Sequence, residues 1–243
     1  MRTCVVSDIH ANLHALEAVL EAIDGEGADE LWCLGDLVGY GPRPNECTRI
    51  VRERADVCLV GNHDLGVLGR LDLDLFAADA AASARWTAAE LADDARRFLE
   101  SLRPEGTRAS VALFHASARD AVWEYVMTED VAAESLVSSP EALTLVGHSH
   151  LALEFSLTGP LVRGSLAPEG TELELDEPDR RLLNPGSVGQ PRDGDPRAAY
   201  LVLDLDARRA TFRRVPYPVE RTQAEIRERG LPESLAARLE HGL

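Results

Sequence analysis

Residues 58–65 read CLVGNHDL, a short apolar run broken by Gly61, Asn62, His63 and Asp64. Small polar residues of this kind form turns, so the break reads either as a plain turn or as a set of ligands. The same punctuation recurs along the chain. SDIH (7–10), LGDLVGYG (34–41), GNHD (61–64), FHAS (114–117) and GHSH (147–150) each end an apolar run, and together they hold five of the seven histidines.

The chain has 243 residues, 45% of them hydrophobic, enough for one α/β domain with a sizeable core or for two small ones. Its net charge is −17, and all 25 basic residues are arginine. The absence of lysine excludes Schiff-base chemistry and a Walker-type P-loop. The acidic field disfavours nucleic acid as a partner, whereas a divalent metal would locally invert that field and admit an anionic substrate. The chain enters a strand-like run at MRTCVVSDIH, leaving no room for a signal peptide. No apolar run approaches the roughly 18 residues of a membrane helix, so no membrane association and a cytoplasmic location are expected. Cys4, Cys33, Cys47 and Cys58 show no CxxC spacing and read as buried thiols in a reducing compartment. Nothing in the residue pattern specifies an oligomeric state.

Residues 2–7 read as a strand. NLHALEAVLEAI follows as a helix, with Leu13, Leu16, Leu20 and Ile23 at helical spacing and Asn12 placed to cap it. ELWCL and DVCLV read as buried strands with a helix around 45–54 between them, a βαβαβ start to a layered α/β fold. Residues 72–100 have helical spacing and read as an inserted helical pair. ASVALFH and ALTLVGH are two further strands around a helical stretch. Beyond residue 150, LALEFSLT, RRLLNPG, AAYLVLDLD and ATFRRV alternate with Gly, Pro and Asp turns and predict an antiparallel set. TQAE (222–225) has the pattern of a capping box opening a C-terminal helix. Without repeats, linkers or low-complexity tracts, residues 1–243 read as a single domain.

In α/β sheets the C-terminal ends of the strands form the binding crevice, so parallel strands would gather the five clusters there. Asp8 and His10, like His148 and His150, are spaced i, i+2. In extended backbone such side chains point the same way, as two ligands of one metal must. Imidazoles, carboxylates and an amide oxygen make a mixed N/O set suited to manganese, iron, zinc or nickel. The lack of thiolates argues against a structural zinc site.

The order DxH, GD, GNH, H, GHxH across residues 8–150 resembles the calcineurin-like metallophosphoesterase superfamily. The loops GDLVGYGPRPNEC and NPGSVGQPRDG look like those of its short, bacterial phosphodiesterase-like branch. The resemblance implies an αββα four-layer sandwich of two mixed sheets flanked by helices, with two divalent metal ions, manganese first, at one end. It implies that Asp8, His10 and His150 hold one metal, that Asn62, His115 and His148 hold the other, and that Asp36 bridges both. A metal-bridging hydroxide would attack phosphorus in line, with His63 aimed at the leaving group. Asn62 is then a ligand, and the break in CLVGNHDL is more than a turn.

A single histidine at a strand end is ordinarily a hydrogen-bonded structural residue, a reading that does not explain five in matching order. His14, on the helix after the site, reads as solvent-facing or as indirect support, and His241 as exposed. Asp64 either orients His63 or serves the turn. In NPGSVGQPR, Asn184, Ser187 and Arg192 either line the pocket, arginine pairing well with phosphate, or belong to a Gly-Pro turn. The acidic run ELELDEPD (172–179) reads as a solvated edge or turn. Protein phosphatases of the superfamily carry GDxVDRG, whereas this chain has Gly39, Tyr40 and Gly41 at that loop's end, which speaks against a phosphoprotein. Ala11 after DxH and HAS in place of HG are small-for-small departures. The expected activity is hydrolysis of a small soluble phosphate ester, with phosphodiesters preferred. Alternatives are a phosphomonoesterase or protein-phosphatase-like enzyme and a non-catalytic scaffold of the same fold; a nuclease lacks the necessary basic tract.

Overall fold

The computed structural model describes residues 1–175 and 180–243. The first sheet begins with three parallel strands, β1 (Arg2–Val6), β2 (Glu30–Cys33) and β3 (Val57–Cys58). They are linked through helices α1 (Leu13–Glu26) and α2 (Pro44–Arg54). After β3 come α3 (Asn62–Val67), a 3-10 turn at Leu73–Leu75, and helices α4 (Ala78–Glu90) and α5 (Asp93–Ser101). The second sheet opens with β4 (Glu105–Arg108) and β5 (Val111–Phe114), continues through α6 (Glu129–Ser138) to β6 (Leu143–Leu145), then β7 (Ala152–Thr158) and β8 (Leu161–Leu166). The chain then alternates between sheets: β9 (Glu172–Glu174) joins the first, β10 (Arg180–Pro185) the second, and β11 (Ala198–Asp204) and β12 (Arg209–Val215) the first again. Helices α7 (Val219–Glu228) and α8 (Glu233–Ala237) end the chain.

Strand order is β3-β2-β1-β11-β12-β9 in one sheet and β4-β5-β6-β10-β7-β8 in the other. The expected antiparallel set beyond residue 150 is therefore divided between sheets, and β10 lies parallel to β6 while pairing antiparallel with β7. The edge strands β4 and β8 are not among the strands expected from the sequence, and β9 falls in the run read as a solvated edge or turn.

Side-chain alternation builds the layers. In β1 and β11, Cys4, Val6, Tyr200 and Val202 face helices α1, α2, α4 and α5. Their neighbours Val5, Leu201 and Leu203 face inward, against Leu113, Leu145 and Leu183 of the second sheet. Strand residues alternate between faces, so each central strand is buried on both sides, as its near-continuous apolar run requires. On the outer face of the second sheet, Ala132 and Leu136 of α6 cover Phe114, Phe155 and Leu182. The result is the αββα sandwich of two mixed sheets, with more helix over the first sheet than over the second.

Asn12 does cap α1, its side chain accepting from Ala15 N–H. The TQAE reading fails: α7 starts at Val219, and Thr222 lies inside it, its hydroxyl donating to Asn12 Oδ1 at 2.9 Å. The helix opens directly after Pro218, ahead of Thr222, so Thr222 is not at the N-terminal boundary that a capping box serves. Of the acidic run 172–179, Glu172–Glu174 is the edge strand β9, and 176–179 lie outside the described residues. Cys4, Cys33 and Cys47 are buried and all four cysteines are free. No described helix is long and apolar enough to cross a membrane.

Candidate metal centre

The parallel strands of both sheets end at one place. Loops after β1, β2 and β3 bring Asp8, His10, Asp36, Asn62 and His63, and loops after β5 and β6 bring His115, His148 and His150. All eight are buried. Two groups of donor atoms result, each within 4.8 Å: Asp8, His10, Asp36 and His150, and Asp36, His115 and His148. Asp36 belongs to both.

The i, i+2 argument holds for one pair and fails for the other. Asp8 and His10 share a donor group, whereas His148 and His150 fall in different ones. The reason given was wrong for both. Asp8, His10, Asp36, His148 and His150 all have positive φ, between 49° and 64°, and are not extended. L-residues in this region pay roughly 1–2 kcal/mol each, and such strain gathers at functional sites. Gly61 serves the same crowding by another route: a Cβ there would run into the Asp36 carboxylate.

Backbone carbonyls set the tautomers. The Nδ1 atoms of His10, His115 and His150 lie 3.1, 2.9 and 2.7 Å from the carbonyl oxygens of Val38, Leu34 and Gln190. A carbonyl only accepts, so each Nδ1 carries the proton and each Nε2 presents a lone pair to the site. His148 is reversed: its Nε2 donates to Trp123 O at 3.2 Å, leaving Nδ1 as the acceptor.

The outcome is acceptors facing acceptors. His10 Nε2 and His150 Nε2 are 3.0 Å apart, and His115 Nε2 is 3.2 Å from Asn62 Oδ1. Asp36 Oδ2 is buried with no hydrogen bond, 3.6 Å from both His10 Nε2 and His115 Nε2. Lone pairs at these separations repel unless a cation lies among them, and ligands about 2.1 Å from one ion stand roughly 3 Å apart. The donor set therefore fits two divalent cations sharing Asp36.

Burial dominates the electrostatics. It pushes Asp8 up to about 7, with Asp36 adding to the shift, and it raises Asp36, with Asp64 adding. It also lowers His10 and His150, helped by neighbouring histidines and Arg192. Both signs of charge are penalised in this pocket, and cations would reverse the penalty on the carboxylates.

His63 packs beside the ligands, its ring 4.9 Å from His10 and 4.4 Å from Tyr40. Its Nδ1 is buried and unpartnered against Gly39, where a Cβ would approach to 2.7 Å. Burial, then Arg192, lowers it to about 3. Its backbone N–H donates to Asp36 Oδ1 at 2.9 Å. Asp64 does not touch the ring; it accepts from Val38 and Gly61 N–H, both at 3.0 Å, and serves the turn.

The other expected pocket residues divide. Asn184 is wholly buried, donating to Gly147 O and Ser149 Oγ and accepting from Gly186 N–H. Ser187 donates to Asp8 O at 2.7 Å and accepts from Gln190 N–H. Both fix the ligand loops and leave no group for substrate. Arg192 stands at the mouth, beside Tyr40. His14 is neither solvent-facing nor in contact with the site: its Nε2 lies 3.2 Å from Glu225, which also accepts from Arg43. His241 is exposed, as expected. Sequence reasoning missed the aromatic rim: Tyr125 stacks on His148 at 4.0 Å, and Phe76 bridges His63 and Trp123. Only Tyr40, set between Gly39 and Gly41, carried a local signal.

A family model described as the calcineurin-like phosphoesterase superfamily domain matches residues 1–208. Protein MJ0912 of Methanocaldococcus jannaschii is 40% identical over 240 residues, 97% of this chain and 96% of that one. The crystal structure of a metallophosphoesterase from Sphaerobacter thermophilus matches with a TM-score of 0.91 at 42% identity, covering 100% of this chain and 99% of its own. A shorter likeness, 41% over 71 residues, links 28% of this chain to 26% of a symmetrical bis(5'-nucleosyl)-tetraphosphatase from Psychromonas ingrahamii. Such coverage, joined to a donor set that two cations would complete, makes this chain a metallophosphoesterase of the calcineurin-like phosphoesterase superfamily.

Proposed function

We propose that this protein hydrolyses a small soluble phosphate ester with two divalent cations, manganese first, and prefers phosphodiesters to monoesters. The observation that carries the reading is Asp36 Oδ2, buried, unpartnered and equidistant from a histidine of each donor group. Asp8, His10, Asp36 and His150 would hold one cation, and Asp36, Asn62, His115 and His148 the other. When bound, the pair lowers the pKa of water and neutralises charge developing on phosphoryl oxygens.

The chain's own residues do the rest. The carbonyls of Val38, Leu34, Gln190 and Trp123 orient the four imidazoles and fix which nitrogen is bare. His63 is neutral at neutral pH; with Nδ1 sealed against Gly39, it offers Nε2 to the departing oxygen. Arg192 meets a phosphoryl oxygen at the mouth. Diester preference is tied to the GDLVGYG loop, where Tyr40, a neutral phenol against His10 and His63, stands where protein phosphatases carry the charged pair of GDxVDRG. The partial match to a bis(5'-nucleosyl)-tetraphosphatase supports a nucleotide-like ester. Helices α7 and α8 close over Tyr40, which supports one functional unit across 1–243. The free cysteines fit a reducing, cytoplasmic setting.

The test is elemental analysis of purified protein followed by a screen of phosphomono- and diesters. Two metals per chain, activity lost to chelators and bis(p-nitrophenyl) phosphate cleaved at least as well as p-nitrophenyl phosphate are expected. At most one metal after reconstitution, or a strong preference for phosphopeptides in kcat/KM, would overturn the reading.

A further inference from the structure

Arg192 and Arg238 converge on one neutral oxygen. Arg192 Nη2 donates to Gln190 Oε1 at 2.9 Å, and Arg238 Nη1 donates to the same atom at 3.2 Å. The Nε of each is buried without a partner. In Arg43–Glu225, Arg108–Glu30, Arg197–Asp195 and Arg214–Asp193 the guanidinium faces a carboxylate. The guanidinium groups of Arg192 and Arg238 instead meet neutral oxygens, those of Gln190 and Tyr40, with the Tyr125 hydroxyl also beside Arg192. Asp79, the acid acting on Arg238, already accepts the Ser234 hydroxyl. Burial, with the charge of Arg192, holds Arg238 below the usual arginine range. Two cations crowded on one amide oxygen are complementary to an anion with several acceptor oxygens.

Position gives that anion a meaning. The Tyr40 ring stands 4.6 Å from His10 and 4.4 Å from His63, and the Arg192 guanidinium lies 5.8 Å from the same ring. Tyr40 thus packs against histidines of the metal centre and against Arg192. On the Arg238 side a cavity of about 190 Å³ opens, lined by Tyr40, Ala77, Asp79, Leu235 and Arg238. Arg238 lies beyond the residues matched by the family model.

We infer that Arg192 and Arg238 form a second phosphate subsite, and that the substrate carries a second phosphoryl group joined to the reacting one through an anhydride bridge. This rests on the hydrolytic reading of the metal centre above. Hydrolysis then adds water across the bridge. The water oxygen bonds to the reacting phosphorus, the bond from that phosphorus to the bridging oxygen breaks, and the released proton goes to solvent or the departing phosphate. Arg192 and Arg238 neutralise the charge that leaves.

The experiment uses the full, manganese-loaded chain and two dinucleotides that differ in phosphoryl count, adenylyl-(3',5')-adenosine and P1,P2-diadenosine diphosphate. The wild type should favour the diphosphate in kcat/KM. R238Q should reduce that ratio roughly tenfold to hundredfold, the worth of charge-assisted hydrogen bonds, and R238K should restore part of it. Calorimetry with methylenebisphosphonate and methylphosphonate reads the subsite without turnover, and R238Q should weaken the bisphosphonate selectively. An unchanged ratio together with equal effects on both phosphonates, in a variant with wild-type melting, overturns the subsite while leaving the hydrolytic reading intact. If neither dinucleotide is cleaved but bisphosphonate selectivity depends on Arg238, the hydrolytic reading has failed and the anion subsite has held.

Discussion

The two sheets meet the site with different chemistry. Loops of the first supply both carboxylates, the amide Asn62, one imidazole ligand and His63, whereas loops of the second supply imidazoles alone, from His115, His148 and His150. Negative charge comes from one half of the sandwich and neutral donors from the other. Neither half makes a complete set, because each donor group draws on both sheets. The difference teaches that cations bound here would cross-link the two layers as well as serve catalysis, with Asp36 the one residue common to both donor groups.

The sharpest way to break this asymmetry is at that residue. Asp36→Asn should release both metals together and lower kcat/KM on a diester by at least about 10³-fold, the several kcal/mol such cations contribute. Elemental analysis and turnover check it, and loss of one metal alone would end the bridging assignment. Next comes a contrast across the sheets, His63→Ala against His148→Ala. His63→Ala should keep both metals and lose roughly 10² to 10⁴ on alkyl or nucleoside esters, with a much smaller loss on p-nitrophenyl esters, whose leaving group needs no proton. His148→Ala should slow every ester alike. Equal losses for His63→Ala across leaving groups would refute its part in departure.

Cross-linking predicts a third, smaller effect. Ligands that bind only the folded state stabilise by about 3–4 kcal/mol at 100 to 1,000 times Kd, so chelation should lower Tm by on the order of 10 °C for a chain of this size. A calorimetric scan with and without chelator measures it, and an unchanged Tm would reduce the ions to a catalytic role.

The legible part of this protein was local. Each ligand lies in a motif of a few residues at a strand end, so strand, turn and donor could be read together, and the order of five motifs carried the sandwich with them. What escaped is made by distant segments. Gln190 brings Arg192 to Arg238, and Thr222 gives its hydroxyl to Asn12 across the molecule. Asn184 and Ser187 looked available for substrate because nothing in the sequence shows that backbone groups of other loops already occupy them. The left-handed backbone at Asp8 and His10 was hidden for a related reason: the strand-like run before them suggests continued extension, and only the folded loops impose the other conformation.

The smallest expected effect lies away from the metals, where α7 is tied to the first sheet's loops. Glu225 accepts from Arg43 Nε at 2.7 Å and approaches His14. Arg43 first, then His14, holds its carboxyl below the ordinary 4.5. With the folded pKa depressed, the unfolded chain takes up the proton first as pH falls. The contribution is complete above 4.5 and is lost as pH falls through the folded value. Glu225→Gln should lower Tm by roughly 2–4 °C at pH 7, the effect of about 1 kcal/mol, and the gap from wild type should close near the acid end. A gap that persists there would assign the effect to packing.

The left-handed ligands have a consequence for how such a protein changes over generations. His10 and His150 sit at φ values that glycine adopts freely, so exchanging either for glycine would relieve roughly 1–2 kcal/mol of backbone strain in the fold. Set against that relief, each exchange would empty a buried, ring-packed position and strand the Val38 or Gln190 carbonyl, a larger loss. The packing that forces these two residues into left-handed backbone is thus the same packing that holds their side chains in, so the strain and the site stand or fall together.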